Sequence, residues 1–560
     1  MKEPKIGVLV IIILFSLALS MEGCIEKSRD TESKDILTTT VTETITRTET
    51  IMTTSTKTIN YTITKKVTTT YTITETKVVT KTITTTVTLT STKSFVTCAS
   101  PNIKYIKVDP SFTPLDKVDH ITIEIYIEGD TNCKTYGRVE VIPKTYPLLN
   151  DDAFPNENKK QFLFNASGVH IFEAKILGGR EYIIKVKACN KGGCTEKGIV
   201  TPYYRQYKNL AKILKERGII ISTVYMAHRS GYFFYEEHLI GKPLLGSYDS
   251  WGNELSNIVQ WKHIDWANGH GISVFWIEVH EPENVPLVLS GFLEKGMSVG
   301  LMVSCWDEVL EKGSADLSDK NTKEKFVSLI KSLGKLLNDP NYYRINGRPA
   351  IFIWAEATFK NRREAYEEIF RYVKEVSGSE PYLITDIIPA IYEEGIDPGE
   401  GWKSWWNYRN SDGGESFISA YSGWIGFFGV APIVGEGVKI VPIKNKSTFD
   451  KVFLSRYNKH LQEWREYVEN SGRCFIPTVS PGFSRTWDPR FISYEIDRNV
   501  SRFKKMLELA IKYRGHCGEI RIDTWNDFVE ATFVEPSESD KFLFLEAIKD
   551  VVEKYVIELH

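Results

Sequence analysis

The stretch RPAIFIWAEATFKNRREAYEEIFRYVKEV, residues 348–376, contains the unit from which most of the chain after residue 203 is built. It opens with an apolar run that ends at Trp354, and an unbroken apolar run is typical of a strand buried on both faces. From Arg363 onward, apolar residues recur at intervals of three and four, which predicts an amphipathic helix. A buried strand followed by a helix is the repeating unit of parallel α/β folds.

The same unit recurs along the rest of the chain. Strand-like runs occur in residues 218–227, 272–280, 297–306, 348–356, 381–387, 416–422, 473–482 and 519–527. These are eight candidates, and a helical pattern follows nearly every one. The sequence therefore predicts an α/β fold with a single (β/α)8 TIM barrel over residues 203–560.

Residues 95–202 have a different pattern, in which apolar and polar residues alternate. HITIEIYIEG (120–129) and YGRVEVIP (136–143) alternate cleanly, which predicts short strands of an all-β sandwich. The run YIIKVKACNKGGC (182–194) resembles the last hairpin of a fibronectin type III module, a resemblance that implies a spacer. Disulfides are plausible for Cys98 with Cys133, Cys189 with Cys194 and Cys474 with Cys517, although sequence leaves the connectivity open.

The N-terminus predicts export. Residues 1–24 combine two lysines, a short apolar run and Cys24, which is typical of a signal peptide with a lipoprotein-type anchor at Cys24. An uncleaved anchor or simple secretion is the alternative. Residues 25–94 are a Thr-rich stalk or linker, expected to be extended and glycosylated, with a β-rich fibrous segment as the alternative. We expect a protein held at the cell surface through its N-terminus, in contact with the membrane there.

Composition and motifs exclude several classes of function. The formal net charge is -2, so no basic surface predicts a nucleic-acid partner. The sequence has no CxxC pair or His/Cys spacing for a metal site, and no dinucleotide glycine motif or P-loop. We therefore predict neither a metal nor a cofactor.

The ends of the predicted strands carry aromatic and acidic residues. In TIM barrels the chemistry lies at the C-terminal ends of the strands, where aromatic rings can stack on sugars and carboxylates can bind hydroxyl groups. The candidate substrate-binding residues are Tyr225, His228, Trp276, Glu278, His280, Trp306, Trp354, Glu356, Trp525 and Asn526. Simpler interpretations stay open: the tryptophans can be core residues, the histidines can bind local backbone, and Asn526 can hold its loop.

Four segments together resemble glycoside hydrolase family 99. PLLGSYDSWGNELSNIVQWKHIDWANGHGISVFWIEVH (243–280) resembles the opening of that family's barrel, and DPNYYRINGRPAIFIW (339–354) its fourth strand. FIPTVSPGF (475–483) resembles the seventh strand. TWNDFVEATFVEP (524–536) is similar to the family's signature Trp-Asn-Glu-Trp-x-Glu-Gly-Thr-x-Ile-Glu-Pro.

The resemblance implies endo-acting α-mannosidase chemistry with retention at Asp527 and Glu530. Glu530 would be the acid/base that protonates the leaving oxygen. Asp527 would help the 2-hydroxyl of the sugar to attack C1, giving an anhydro-sugar intermediate. Position 527 is Asp where the family has Glu, and Ser304 stands where the family has an acid at the end of the third strand.

The sequence as a whole predicts a surface-anchored glycosidase that acts on a polysaccharide or glycan, with an α-linked, mannan-like or related glycan as the expected substrate. A non-catalytic carbohydrate-binding or structural envelope protein on the same barrel is the alternative, and the two departures from the family pattern favour it. A role in glycan assembly is a third hypothesis.

Overall fold

The computed structural model describes residues 36–47, 61–63, 67–69, 74–75, 83–94, 97–111, 118–227, 239–248, 254–278, 285–304, 315–354, 356, 359–387, 412–423, 446–484 and 495–558. Two compact units divide the chain. The first consists of Met1–Asn102, Gly129–Thr135 and Cys189–Thr195, and the second of Ile103–Glu128, Tyr136–Ala188 and Glu196–His560.

The described part of the Thr-rich segment consists of strands in the first unit. They are β1 (Ile36–Arg47), β2 (Tyr61–Ile63), β3 (Val67–Thr69), β4 (Thr74–Glu75) and β5 (Ile83–Ser94). The two long strands, β1 and β5, pair antiparallel along their full length. The alternation of Thr with Val and Ile suits a pleated ladder. The extended stalk and its β-rich alternative both stay predictions.

Two antiparallel sheets follow. One has the order β10-β7-β6 and the other β12-β11-β8-β9. The strands are β6 (Asn102–Asp109), β7 (His120–Glu128), β8 (Tyr136–Pro143), β9 (Lys160–Phe164), β10 (Gly168–Lys175), β11 (Tyr182–Asn190) and β12 (Gly193–Val200). Inward residues of both sheets share one apolar core that includes Ile123, Ile125, Val139 and Ile184. This all-β arrangement agrees with the predicted strands, whereas its assignment to the fibronectin type III fold stays a prediction.

Parallel strands from residue 220 onward form the barrel. They are β13 (Ile220–Met226), β14 (Ile272–Glu278), β15 (Ser298–Ser304), β16 (Arg348–Trp354), β17 (Tyr382–Ile387), β18 (Ile418–Gly423), β19 (Cys474–Ile476), β20 (Thr478–Val479) and β21 (Glu519–Ile522). Each pairs with the next in chain order as far as β19, and β21 pairs with both β13 and β20. Since β19 and β20 are the two halves of one strand interrupted at Pro477, the ring of described strands returns to its start.

Helices cover the outside of this ring. They are α1 (Leu210–Glu216), α2 (Glu254–Gly269), α3 (Val285–Glu294), α4 (Lys320–Ser332), α5 (Arg363–Ser377), α6 (Lys446–Asn470), α7 (Val500–Tyr513) and α8 (Leu543–Glu558). In α7 the side chain of Asn499 caps the first turn, and Phe503, Met506 and Leu507 lie on the buried face. Within the described residues no helix is both long enough and apolar enough to cross a membrane. The strands and helices together confirm the predicted α/β fold, with a nearly closed barrel of parallel strands in the C-terminal region.

The apolar side chains of the barrel strands are divided between two layers. The interior layer contains strand residues such as Val224, Trp276, Phe352 and Ile384. The outer layer, between strands and helices, contains their neighbours in sequence, such as Tyr225. Because successive side chains of a strand point to opposite faces, this division decides which strand-end residues face into the barrel.

All three plausible disulfides are present. Cys98 is bonded to Cys133, Cys189 to Cys194 and Cys474 to Cys517. The third joins β19 to the turn before β21, which are neighbours in the barrel although 43 residues separate them in sequence. Loop closure of this length constrains the unfolded chain, so the bond stabilises the ring of strands.

Lys262 on α2 is buried where the barrel packs on residues that precede it in the chain. Its ammonium lies 4.7 Å from the ring centre of Phe154 and 5.7 Å from that of Tyr203. It has no hydrogen-bond partner among the described residues. Burial lowers the pKa of Lys262 to about 7 and raises that of Asp265, one turn away on α2, to about 6.

Lys262→Met is expected to flatten the pH dependence of stability above pH 7. Between about pH 7 and 10.5 the unfolded chain keeps a proton that folded Lys262 has released, so wild-type stability rises with pH, by up to about 1.4 kcal/mol per unit. Asp265 is ionised in both states over this range and adds no slope. The measurement is the free energy of unfolding in urea at pH 7, 8 and 9.

The exposed Lys325→Met on α4 is the matched control and should keep the wild-type slope. Equal slopes for Lys262→Met and wild type would contradict the prediction.

Candidate active site

A ring of carboxylates lies at the C-terminal end of the barrel interior. Glu278 ends β14 and has the inward register of Trp276, and Asp386 has the inward register of Ile384 on β17. Asp523 directly follows β21, whose residue Arg521 lies over the interior ring of Phe352 at 4.7 Å. The three acids are 7%, 1% and 6% exposed, so they form the floor of the barrel mouth rather than its rim.

The half-buried Trp354 belongs to the same end of the barrel. It ends β16 and packs against the interior layer. Of the predicted tryptophans within the described residues, it is the one with a partly accessible ring at the mouth. The role of Trp354 in sugar stacking stays a prediction.

Three other predicted binding residues lie elsewhere. Tyr225 is fully buried in the outer layer, where its hydroxyl is 3.1 Å from His263 Nδ1, because its register on β13 points towards the helices. Trp276 lies deep in the interior, and its indole donates to Glu519 Oε1 at 2.9 Å. Trp525 packs between His263 and Phe275. The structure gives these three rings packing contacts, as in the simpler interpretation, and not an open face.

Glu356 was also predicted to bind substrate, but it belongs to a buried ion-pair network. Its carboxylate is fully buried and bonds to the guanidinium of Arg362 and, at 2.8 Å, to the hydroxyl of Tyr366. Arg362 in turn pairs with Asp412, whose pKa falls to about 2 despite partial burial because it accepts bonds from that guanidinium and from backbone amides. Glu356 therefore holds the chain after β16 against the segment that begins at Asp412.

The loop after β21 carries the two predicted catalytic acids. Asp527 Oδ1 accepts the backbone amides of Val529, at 3.0 Å, and Glu530, at 2.9 Å. The amide of Asp527 in turn donates to Thr524 Oγ1 at 2.9 Å. Asp527 is thus a capping residue of this turn, and the same bonds bring it beside Glu530.

Glu530 is half-buried, and its backbone is held from outside the loop. Its carbonyl accepts the amide of Ser484 at 2.9 Å, which ties the turn to the segment after β20. On the other side of the turn, Phe528 stacks on Phe533, with ring centres 4.1 Å apart. Arg498 lies over Phe533 and donates to its carbonyl and to that of Ala531. The turn is therefore fixed at both ends.

A buried hydrogen-bond network holds the loop on the barrel. The carboxylate of Glu535 accepts from the hydroxyl of Tyr248 at 2.6 Å and lies 3.1 Å from His263 Nε2. The amide of Asn526 donates to Tyr248 and to the carbonyl of Met226, and its oxygen accepts from the Met226 amide. Asn526 thus holds the loop, as its simpler interpretation proposed. Tyr248 of the GSYDS segment and Glu535 of the TWNDFVEATFVEP segment are bonded directly.

Sequence reasoning missed Asp523, Arg521, Tyr248, His263 and Glu535. Asp523 and Arg521 share the inward register of β21, and the alternation of Glu519, Arg521 and Asp523 with two isoleucines was a usable signal that they lie on one face. Tyr248 and Glu535 stood inside the quoted motifs, so their joint presence was a usable signal. Among the residues predicted from the sequence, His228, His280, Trp306 and Cys24 lie outside the described residues.

One group of potential metal ligands occurs among the described residues, formed by Glu469, Cys474 and His516. The sulfur of Cys474 is bonded to Cys517, so it is not a free thiolate ligand. His516 instead pairs with Glu469 at 2.9 Å.

The fold and the mouth define a (β/α)8 barrel with an acidic strand-end site. Residues 304–548 match the family model described as "Glycosyltransferase WbsX". The matched segment includes β16 to β21 and the whole loop with Asp527 and Glu530. A comparison with curated proteins gives no match.

Several solved structures are similar at a low level. A "Glycoside hydrolase-like protein" has 14% identity over 60% of this chain and 93% of its own, with a TM-score of 0.46. The GH99 endo-α-mannosidase from Bacteroides thetaiotaomicron, in complex with BIS-TRIS-propane, has 16% identity over 60% of this chain and 96% of its own, with a TM-score of 0.40. With TM-scores below 0.5, these likenesses by themselves establish neither fold nor activity.

Tyr248→Phe is expected to destabilise the chain by about 1–3 kcal/mol, because it removes a hydrogen bond to a fully buried carboxylate. The measurement is the free energy of unfolding in urea. The matched control is Tyr105→Phe, which removes a bond of the same length, 2.6 Å, to Glu124 at the exposed surface. That control should leave stability unchanged within error. Equal effects of the two variants would show that the Glu535 network does not hold the loop.

Proposed function

We propose that this chain is a glycoside hydrolase that cleaves an α-linked glycan with the acid pair Asp527 and Glu530. One observation carries the proposal: both acids occupy a single turn at the C-terminal end of the eighth barrel strand, joined by the bond from the Glu530 amide to Asp527 Oδ1. The strand ends are where barrels of this type carry their chemistry. Glycosidic cleavage needs two carboxyl groups that face one sugar.

The two acids would have different roles because their surroundings differ. Asp527 is 7% exposed and its Oδ1 accepts two amides, and hydrogen bonds of this kind favour the ionised form of a carboxyl group. An ionised Asp527 suits the group that takes the proton of the 2-hydroxyl as that oxygen attacks C1. Glu530 is more accessible, which suits the group that protonates the leaving oxygen and then activates water. Two displacements at C1 give retention.

Other features support a glycan as the substrate. Trp354 has a partly accessible ring at the mouth, and Glu278 and Asp386 supply acceptors for hydroxyl groups below it. The three disulfides support a location outside the cytoplasm, since oxidising compartments maintain such bonds. With the N-terminal signal and Cys24, they support the proposal that the enzyme is attached to the cell surface.

Glycosyl transfer is a second candidate, favoured by the description of the family model that matches residues 304–548. The same acid pair could activate a sugar hydroxyl instead of water, because both reactions displace a group at C1. The products distinguish the two candidates. Hydrolysis releases shorter oligosaccharides, whereas transfer gives longer ones.

Glu530→Gln and Asp527→Asn are each expected to lower the rate of glycan cleavage by about 100-fold or more, the usual contribution of a positioned acid/base group. Asn can still accept the amides of Val529 and Glu530 through its side-chain oxygen, so the second variant removes charge and keeps the turn. The measurement is the release of oligosaccharides from a panel of α-mannans and other α-linked glycans by the purified whole chain.

The matched control is Glu538→Gln, an exposed acid eight residues after Glu530, which should keep full activity. Cleavage at the wild-type rate by Glu530→Gln would contradict the assigned acid/base. Binding of a glycan without cleavage by wild type would instead favour the non-catalytic carbohydrate-binding protein. Elongated products would favour glycosyl transfer.

A further inference from the structure

Arg521 is a charged residue in the floor of the barrel mouth that the proposed acid pair does not use. Its side chain is 1% exposed. Nη2 donates to the carbonyl of Gly423, the last residue of β18, at 2.5 Å and to Asp523 Oδ2 at 3.2 Å. The guanidinium therefore lies at the level of the strand ends. It reaches from the eighth strand to the sixth.

The donors of this guanidinium are only partly used. Nε lies 3.1 Å from Asp523 Oδ1, and the plane rests on Phe352. The Nε contact is an ion pair without hydrogen-bond geometry, and the buried Nη1 also has no hydrogen-bond partner among the described residues. An arginine presents five N–H donors, and leaving the two of Nη1 without an acceptor in a buried place is costly. The geometry therefore points to an acceptor supplied from the mouth, above Asp523.

The acidic residues near the barrel mouth limit which chemical group can be the acceptor for Arg521. Asp523 lies 3.1 Å from the guanidinium, and the buried Glu519 on the same strand interacts with it electrostatically. Glu278 and Asp386 add two acids with inward register at the ends of β14 and β17. A phosphate or carboxylate ligand would meet this excess of negative charge. A sugar hydroxyl meets no such repulsion, and it can accept from Nη1 while it donates to a neighbouring carboxylate.

Arg521 and Asp523 are close in sequence to the acid pair, and hydrogen bonds link the segment that carries all four residues. Asp523 lies four residues before Asp527, and the intervening Thr524 accepts the Asp527 amide at 2.9 Å. Asp386 is oriented by the backbone amide of Glu356, which donates to its Oδ1 at 3.1 Å. The floor and the catalytic turn are thus parts of one short segment and its neighbours.

Resting on the proposed function, we infer that Arg521 is a specificity-determining residue that binds one hydroxyl of a neutral sugar at the floor of the mouth. Asp523 is a positioning residue that orients the guanidinium, and Glu278 and Asp386 accept the remaining hydroxyl protons. An uncharged, hydroxyl-rich glycan is the substrate class that this floor admits, and uronate-rich or phosphorylated glycans are disfavoured.

The test measures the binding of monodeoxy sugars to the whole chain with the substitution Glu530→Gln, which prevents turnover. This variant is the parent protein for the further substitutions. The probes are α-linked mannobiose and glucobiose, their monodeoxy analogues and the corresponding uronates, with affinities measured by titration calorimetry. The parent protein should bind the analogue that lacks one particular hydroxyl about tenfold more weakly than the unmodified disaccharide. It should also bind the uronates more weakly than the neutral sugars. Adding Arg521→Lys, which keeps the charge, should abolish the penalty at that hydroxyl and leave the others unchanged.

Two further variants separate binding from folding. Arg502→Lys replaces an equally buried arginine on α7, paired with Asp450 and Asp497, and should keep the whole deoxy pattern. Asp386→Asn keeps the acceptor for the Glu356 amide and should reduce the discrimination against uronates. A merely structural Arg521 would weaken every analogue equally, so the position-specific loss is the deciding observation.

An unchanged deoxy pattern in Arg521→Lys, or preferential binding of uronates by the parent, would overturn the inference and leave the proposed function intact. The proposed function is read separately, from oligosaccharide release by the wild-type chain. If wild type cleaves no glycan and the parent binds no sugar, both proposals fall together.

Discussion

The buried carboxylate of Glu535 is the interaction on which the acidic loop depends. It joins Tyr248, which lies shortly before α2, to the end of the loop after β21. With His263 and Asn526 it fixes that loop to the first strand of the barrel. A buried charge is tolerated only when its partners are in place, so this network can hold the loop in one position and not several.

The rest of the mouth is organised around that fixed loop. The turn at Asp527 uses one carboxylate oxygen for the backbone amides of Val529 and Glu530, so a single residue both shapes the turn and contributes to the acid pair. Below it, the ring of Glu278, Asp386 and Asp523 with Arg521 supplies both acceptors and donors. A site of this kind suits a ligand with many hydroxyl groups, because each hydroxyl can donate and accept.

Several residues predicted to bind substrate instead make packing contacts or buried hydrogen bonds around the barrel mouth. Tyr225, Glu356, Trp276 and Asn526 all lie at or near strand ends, yet each is used in packing or in a buried hydrogen bond. Residues of these types serve equally well as ligand-binding groups and as structural residues. Their neighbours across the barrel decide which role they take, and those neighbours are distant in sequence.

The sequence by itself determined the order and type of the barrel elements, because burial on one or both faces leaves a periodic record in each segment. It also marked the acid pair, since Asp527 and Glu530 lie on one short turn and need no distant partner to come together. Only the tertiary structure decided that Val224 faces inward and Tyr225 outward. It likewise decided that the polar side of β21, with Arg521, faces the barrel interior, where the guanidinium lies over Phe352. A strand that is apolar on both faces has no alternation to read, so its inward register is set by the closure of the ring.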